Sequence, residues 1–433
     1  MVLKKTRWKI ITFFLLSVAL LFIGCGSNTT SSSQEPQEQQ TSDDSNASAD
    51  DVIKIGVIQP FSGPNAKAGE ETYKGNELAV DEINADGGIN GKKVVLVKGD
   101  ATNAQQAISE VERLITEEKV DILTGTYLSA VAYAGTQVAF KNNVLWWETN
   151  ALAPDITQQG YDNVIRIGMN DNTIASVAIN AIKDVVAPAL GKDVSDLKVV
   201  IVHEQNIYGT SIGQKEEEQL TALGTTVLNR IPYDPAAADL TDVVNKAREG
   251  NPDILLRTGY INDGILLYKT MRELGWKPSV IMGVSDESTY LLEGLGAETL
   301  EGILSICYPQ YDMSENYAPG VRDFVQKYKE KYNTDPIMPQ TLVSYGGTKI
   351  LFDILKEVDS TDVQKIREKA LQMDVPIGGT YPTGFGVKLD PKTLDNTRAY
   401  PVLAQWQDGK VVTIYPKEAV EGDKGIKLPL AGW

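Results

Sequence analysis

From Val52 onward, short runs of β-branched and aliphatic residues alternate with stretches of helical length, and this alternation limits the fold more than any other feature. IKIGVI (53–58) leads into a helical pattern over 71–86, VVLV (94–97) into one over 105–118, and DILTG (121–125) into one over 129–141. VLWW (144–147) closes the series. After a long helical stretch near 172–189 the pattern repeats: KVVIV (198–202), helix 209–223, TVLNRI (226–231), helix 239–249, DILLR (253–257), helix 262–274 and SVIMG (279–283). Such β–α alternation predicts parallel sheets covered on both faces. The stretch from 52 to 433 is too long for a single core, so the fold class is α/β with two lobes. ILSICY (303–308), helical stretches over 315–333 and 341–357, and a strand-rich end with VLAQW (402–406) and KVVTIY (410–415) follow. This order suggests that the chain revisits the first lobe and then the second.

The beginning of the chain has a different character. MVLKKTRWK (1–9) is basic, and the apolar run Ile10–Gly24 is shorter than the ~20 residues of a membrane-spanning helix. Residues 1–24 therefore read as a signal peptide. The run ends in LFIGC (21–25), which resembles a lipoprotein cleavage box, with Phe22 in place of the usual leucine; the resemblance implies lipidation at Cys25. Residues 25–51, rich in Ser, Gln and Asp, have almost nothing to place in a core and are expected to form a disordered tether.

Charge and cysteine content exclude several functions. With the four basic residues of the first 24 set aside, 37 basic residues face 58 acidic ones. A chain this acidic is a poor partner for nucleic acid or for an anionic membrane surface, so lipid would be its hold on the membrane. With Cys25 lipidated, Cys307 stands alone and no intrachain disulfide forms. One histidine and one spare cysteine make no zinc set, and no metal or other cofactor is expected. GTSIG (209–213) has the form of a hydrolase nucleophile elbow, but that triad needs a histidine after the serine, and the single histidine, His203, precedes it. GINGKK (88–93) is too short for a phosphate loop and has Lys93 where Ser or Thr is needed. No catalytic residues are assigned.

The stretch 53–100, with FSGP (61–64) and EINADGGINGKK (82–93), is similar to type I periplasmic solute-binding proteins of the leucine/isoleucine/valine-binding kind. GTYLS (125–129), ALAPDIT (151–157), YDNVIRI (161–167) and VIVHEQNIYG (200–209) continue the likeness in order. The resemblance implies two Rossmann-like lobes joined by a three-strand hinge near 168–171, 305–309 and 376–380. Lobe 1 would comprise 52–169 and 308–377, and lobe 2 would comprise 170–307 and 378–433. It also implies the extracytoplasmic substrate-binding component of an ABC importer, lipid-anchored at the cell membrane, with permease and ATPase subunits as partners and a small-molecule solute as ligand. A sensor of the same fold, signalling to a membrane partner without transport, is the alternative.

Several candidate ligand contacts follow. Ser129 starts a helix just after a strand, where open α/β sheets bind ligands and where backbone N–H groups and a hydroxyl make an anion site. In the resembled family the matching residue holds the ligand's carboxylate. Tyr208 and Tyr260 occupy strand-to-helix turns of the second lobe, and Tyr127 could offer an aromatic face. ETNALAP (148–154) falls on the loop that meets the ligand's ammonium in amino-acid binders, with Asn150 and Leu152 at the contact places. Leu152 has no oxygen to offer. In VSDES (284–288), Ser285 falls where an acid is expected, with Asp286 beside it. Glu148, helped by Asp286, is therefore expected to replace the lost contacts, so that the solute is amino-acid-like or amide-like and carries a positive charge.

Overall fold

The computed structural model describes residues 52–431. The signal peptide (1–24), the lipidation site Cys25 and the tether (25–51) lie outside the described residues. The first half contains β1 (Val52–Gln59), α1 (Ala66–Ala85), β2 (Lys93–Asp100), α2 (Ala104–Thr116), β3 (Ile122–Gly125), α3 (Ser129–Lys141), β4 (Leu145–Glu148) and β5 (Val164–Arg166). Its strands form a parallel sheet in the order β2-β1-β3-β4-β5. Gly87 and Gly88 close α1 at φ 93° and 80°, the left-handed turn that lets the chain reverse into β2.

Adjacent residues of a strand point to opposite faces, and Trp146 and Trp147 show this directly. Trp147 joins Ile55, Ile122 and residues of α1 in one core, and Trp146 joins Leu123 and residues of α2 and α3 in the other. Both indoles are fully buried, so neither offers a face to a ligand. Their N–H groups donate to Gly347 O (2.9 Å, from Trp147) and Glu148 Oε2 (3.0 Å, from Trp146).

The second half starts with α4 (Asp171–Ala181), which passes through one wide turn (Ile182–Val186) into α5 (Ala187–Leu190). It continues with β6 (Lys198–Glu204), α6 (Ile207–Ala222), β7 (Thr226–Tyr233), α7 (Thr241–Ala247), β8 (Ile254–Thr258) and α8 (Ile261–Glu273). β9 (Val280–Val284), α9 (Thr289–Leu295), α10 (Ala297–Leu300) and β10 (Leu304–Cys307) complete this run. The chain then gives α11 (Val321–Tyr332), α12 (Gln340–Val358) and α13 (Val363–Gln372), and ends in the hairpin β11 (Val402–Gln407) and β12 (Lys410–Tyr415). The second sheet runs β12-β11-β10-β9-β8-β6-β7, with only β11 and β12 antiparallel to their neighbours.

The order of elements explains the helices of the last third. Phe324 of α11 and Leu342 and Leu351 of α12 pack into the first sheet's core, so after β10 the chain is back on the first half. The third passage differs from the expected 376–380. Val387, Leu389 and Leu394 still belong to the first core, and Asp395 pairs in parallel with Arg166 at the end of β5. The segment 375–396 is held by isolated bridges, Val375 with Val387, Arg166 with Asp395 and Leu389 with Asn396. At the first passage, Gly168 is required by packing: a Cβ there would sit 1.8 Å from Thr149 O.

Candidate functional site

Residues just past the carboxyl ends of strands in both sheets meet in one place, the end of a parallel α/β sheet where ligands bind. A cavity in it is lined by Tyr127, Ser129, Asn150 and Leu152 from the first half and by Tyr208, Tyr260 and Ser285 from the second. Tyr308 and Gln340, which follow the second passage, complete it. These side chains close on one another and leave little free space between them. Contacts bridge the cleft. Asn262 Nδ2 of the second half donates to Pro64 O of the first (3.2 Å), while the Tyr308 hydroxyl, at the second passage, donates to Asn150 O (2.6 Å). Lys67 Nζ lies 4.5 Å from the centre of the Tyr290 ring, and the Tyr127 and Tyr260 rings are 5.9 Å apart. As it stands the cavity has no room for a solute of several heavy atoms.

Ser129 begins α3, and its Oγ accepts N–H bonds from Leu152 (3.2 Å) and Ala153 (3.3 Å). Its own hydroxyl proton can be turned towards an acceptor beside the helix N-terminus, where the aligned peptide dipoles favour negative charge. Ser285 is held at φ 63°, uncommon for a side-chain-bearing residue and a form of strain found at ligand sites.

Neither Glu148 nor Asp286 lines the cavity, contrary to what the sequence leads one to expect. Glu148 turns back beneath its own loop, where Oε1 accepts the N–H groups of Thr126 (2.7 Å), Thr149 (2.9 Å), Asn150 (3.0 Å) and Ala151 (2.9 Å). Burial pushes its carboxyl up to about 7, against the pull of these donors and of the Trp146 indole. Asp286 is bonded to the Arg257 guanidinium and the Tyr268 hydroxyl. Burial raises its pKa, and Arg257 opposes the rise. The reason is the same at both places. A buried carboxylate is retained where donors satisfy it, and the loop backbone and Arg257 supply those donors.

The buried charges act as supports for the lining. Arg257 also donates to Asp263 Oδ1 (3.0 Å) and to Tyr260 O, which fixes the turn bearing Tyr260. Tyr233 donates to Asp263 Oδ2 (2.6 Å). Glu204 accepts from Asn206 N and Gly209 N (both 2.7 Å) and so holds the turn bearing Tyr208. Arg166 donates to Ala151 O (3.1 Å) and Ala153 O (2.7 Å) beneath the first half's loop. No carboxylate, lysine or arginine is among the lining residues. Four tyrosines, two serine hydroxyls, two carboxamides and Leu152 remain.

Tyr308 and Gln340 escape sequence reasoning. Both reach the cavity from segments distant in sequence, and only the position of β10 and α12 beside the passages points to them.

The description "periplasmic binding protein" belongs to the family model that matches residues 52–410. Leu/Ile/Val-binding protein homolog 7 of Brucella suis is 36% identical over 385 residues, 88% of this chain and 95% of the relative. Homolog 8 of Brucella abortus is 36% identical over 371 residues, 85% of this chain and 91% of the relative. Among solved structures, a leucine-binding protein of Thermotoga maritima is 25% identical with a TM-score of 0.71, covering 84% of this chain and 98% of that one. A branched-chain amino acid transporter substrate-binding protein of Streptococcus pneumoniae, solved with isoleucine, shares the fold at 21% identity and a TM-score of 0.69 over 84% of this chain and 99% of that one. The chain belongs to the periplasmic binding protein family, among relatives named for leucine, isoleucine and valine.

Proposed function

We propose that this protein is the extracytoplasmic substrate-binding component of an ABC importer, held to the membrane by lipid on Cys25, and that it captures a small amino-acid-like solute. The observation that carries this reading is the cavity itself, enclosed by residues of both halves at the carboxyl ends of two parallel sheets. The solute's carboxylate binds at Ser129 and the N-terminus of α3. Its ammonium lies among tyrosine rings near Asn150, balanced by its own carboxylate. Closing the halves removes water and strengthens each polar contact. The closed form then presents a liganded surface to a membrane permease, by a shift of population between open and closed states. The expected extra positive charge on the solute is not retained, because neither Glu148 nor Asp286 lines the cavity.

Micromolar affinity needs about −8 kcal/mol, within reach of a few charge-assisted hydrogen bonds at roughly 1.5–3 kcal/mol each. The test is a thermal-shift panel of amino acids, small amides and carboxylates on protein unfolded and refolded to strip carried solute. A solute at 100 times its dissociation constant should stabilise by about 2.7 kcal/mol. A panel in which sugars bind and no amino acid or amide does would overturn the reading.

A further inference from the structure

The lining contains a group that the amino-acid head does not use. Gln340 opens the 19-residue helix α12 and is 1% exposed, and its Oε1 has no hydrogen-bond partner among the described residues. Asn150 Oδ1 is in the same position, although Asn150 Nδ2 is engaged by Ser344 Oγ (2.8 Å) and Thr149 Oγ1 (2.9 Å). Buried carboxamide oxygens are costly to leave without a donor, and proteins seldom do so outside sites that receive one from elsewhere. Two such atoms on one cavity call for two sets of donors. In the reading above, which this inference deepens, the solute's ammonium serves Asn150. Gln340 then faces whatever the solute carries beyond its head.

We infer that Gln340 is a specificity-determining residue and that it selects a solute whose side group is an uncharged, N–H-bearing function such as a carboxamide. An aliphatic side group would leave Oε1 of Gln340 unpaired, and sites built around a hydrogen bond reject analogues that lack it. A cationic side group would meet no carboxylate among the lining residues. Glu148 and Glu204 are spent on backbone N–H groups, Asp263 and Asp286 on Arg257, and Glu287 accepts the Ser305 hydroxyl (2.8 Å). A carboxamide meets Gln340 on both counts, donating N–H to Oε1 and accepting from Nε2 in a two-point pair.

The experiment is calorimetric titration of the full chain with L-asparagine, L-glutamine, L-leucine and L-lysine, repeated on Gln340→Met and Gln340→Glu. Melting without ligand shows that each variant is folded. The wild type should bind one of the amide-bearing amino acids at least about tenfold more tightly than L-leucine. Gln340→Met should remove that margin, through weaker binding of the amide and tighter binding of L-leucine, whose side group no longer buries an unpaired oxygen. Gln340→Glu should move the preference towards L-lysine, and it decides the matter if the methionine variant does not fold. L-leucine binding most tightly to the wild type, or an amide preference that persists in either variant, overturns the inference and leaves solute capture standing. Binding of none of the four overturns both.

Discussion

Glu148 and Arg166 are register partners across β4 and β5, and both direct their charge to the same loop. Ala151 is held twice, its N–H by Glu148 (2.9 Å) and its carbonyl by Arg166 (3.1 Å). The loop that carries Asn150 and Leu152 into the cavity is thus fixed from below by an anion and a cation, and neither reaches the solute. A rigid support of this kind lets the lining keep its geometry while the two halves move.

Glu148→Gln tests the supporting role. With the carboxamide oxygen in the place of Oε1, the NH₂ group faces the Trp146 N–H, donor against donor. At pH 8, where the wild-type carboxylate is ionised, the variant should lose less than the about 1–3 kcal/mol of an unpaired buried donor in denaturant unfolding, because it also removes the burial cost of the charge. The rank order of solutes should stay as in the wild type. A reordering that favours neutral over cationic solutes would place the carboxylate in contact with the ligand and sink this account.

Asp395 supports the other pole. It accepts from Arg166 Nε (2.8 Å) and from Thr157 Oγ1 (3.0 Å), and the Arg166 side chain is fully buried. Asp395→Ala leaves a buried guanidinium short of its counter-charge and should cost about 3 kcal/mol. The double variant Arg166→Met, Asp395→Ala should recover part of that loss. Equal stability of the single and double variants would show that the pair is not coupled.

How much of this was legible in the sequence follows from where each signal lies. The alternation of strands and helices is local, so the two sheets could be read directly, and Ser129, Tyr208 and Tyr260 followed as residues just past strand ends. The direction of the Glu148 carboxylate is not local. It is set by Trp146, by the loop N–H groups and by the neighbouring β5, none of which marks the sequence near 148 as a support. Gln340 and Tyr308 enter over the passages, so chain position alone gives no hint of the cavity. The third passage is the least legible, because residues 375–396 are held by isolated bridges and side-chain bonds, which leave no hydrophobic period to read.

Glu216 of α6 gives the fold a pH dependence. It is buried, its Oε2 has no partner among the described residues, and burial pushes its carboxyl from the usual 4.5 up to about 8. The raised value means that the folded state binds the proton more tightly than the unfolded state. Its stabilising effect is therefore complete below pH 4.5 and is lost as pH rises through about 8. Glu216→Gln should remove this slope, so that the variant gains on the wild type by up to a few kcal/mol between pH 5 and pH 8. Glu287, also pushed up to about 8, is present in both proteins and cancels in the comparison. A stability difference that is the same at the two pH values would show that Glu216 does not titrate in this range.

The contacts that bridge the cleft outside the cavity should set how long a solute stays bound. Asn262 of α8 reaches Pro64 O (3.2 Å), and Lys67 of α1 lies over the Tyr290 ring at 4.5 Å, yet neither pair is among the cavity's lining residues. If the halves open as proposed, both pairs are lost on opening, so their free energy counts in the equilibrium between open and closed forms and not in the solute's own contacts. Exposed contacts of this sort contribute modestly. Asn262→Ala should weaken solute affinity by roughly twofold to tenfold, the range for one hydrogen bond. The change should fall mainly on dissociation, because the open form that admits the solute is unaltered. Stopped-flow release of bound solute, read beside the equilibrium constant, separates the two rates. A variant that slows association while release stays unchanged would mean that Asn262 acts at the open mouth of the cleft, and the closing contact would then have no part in retention.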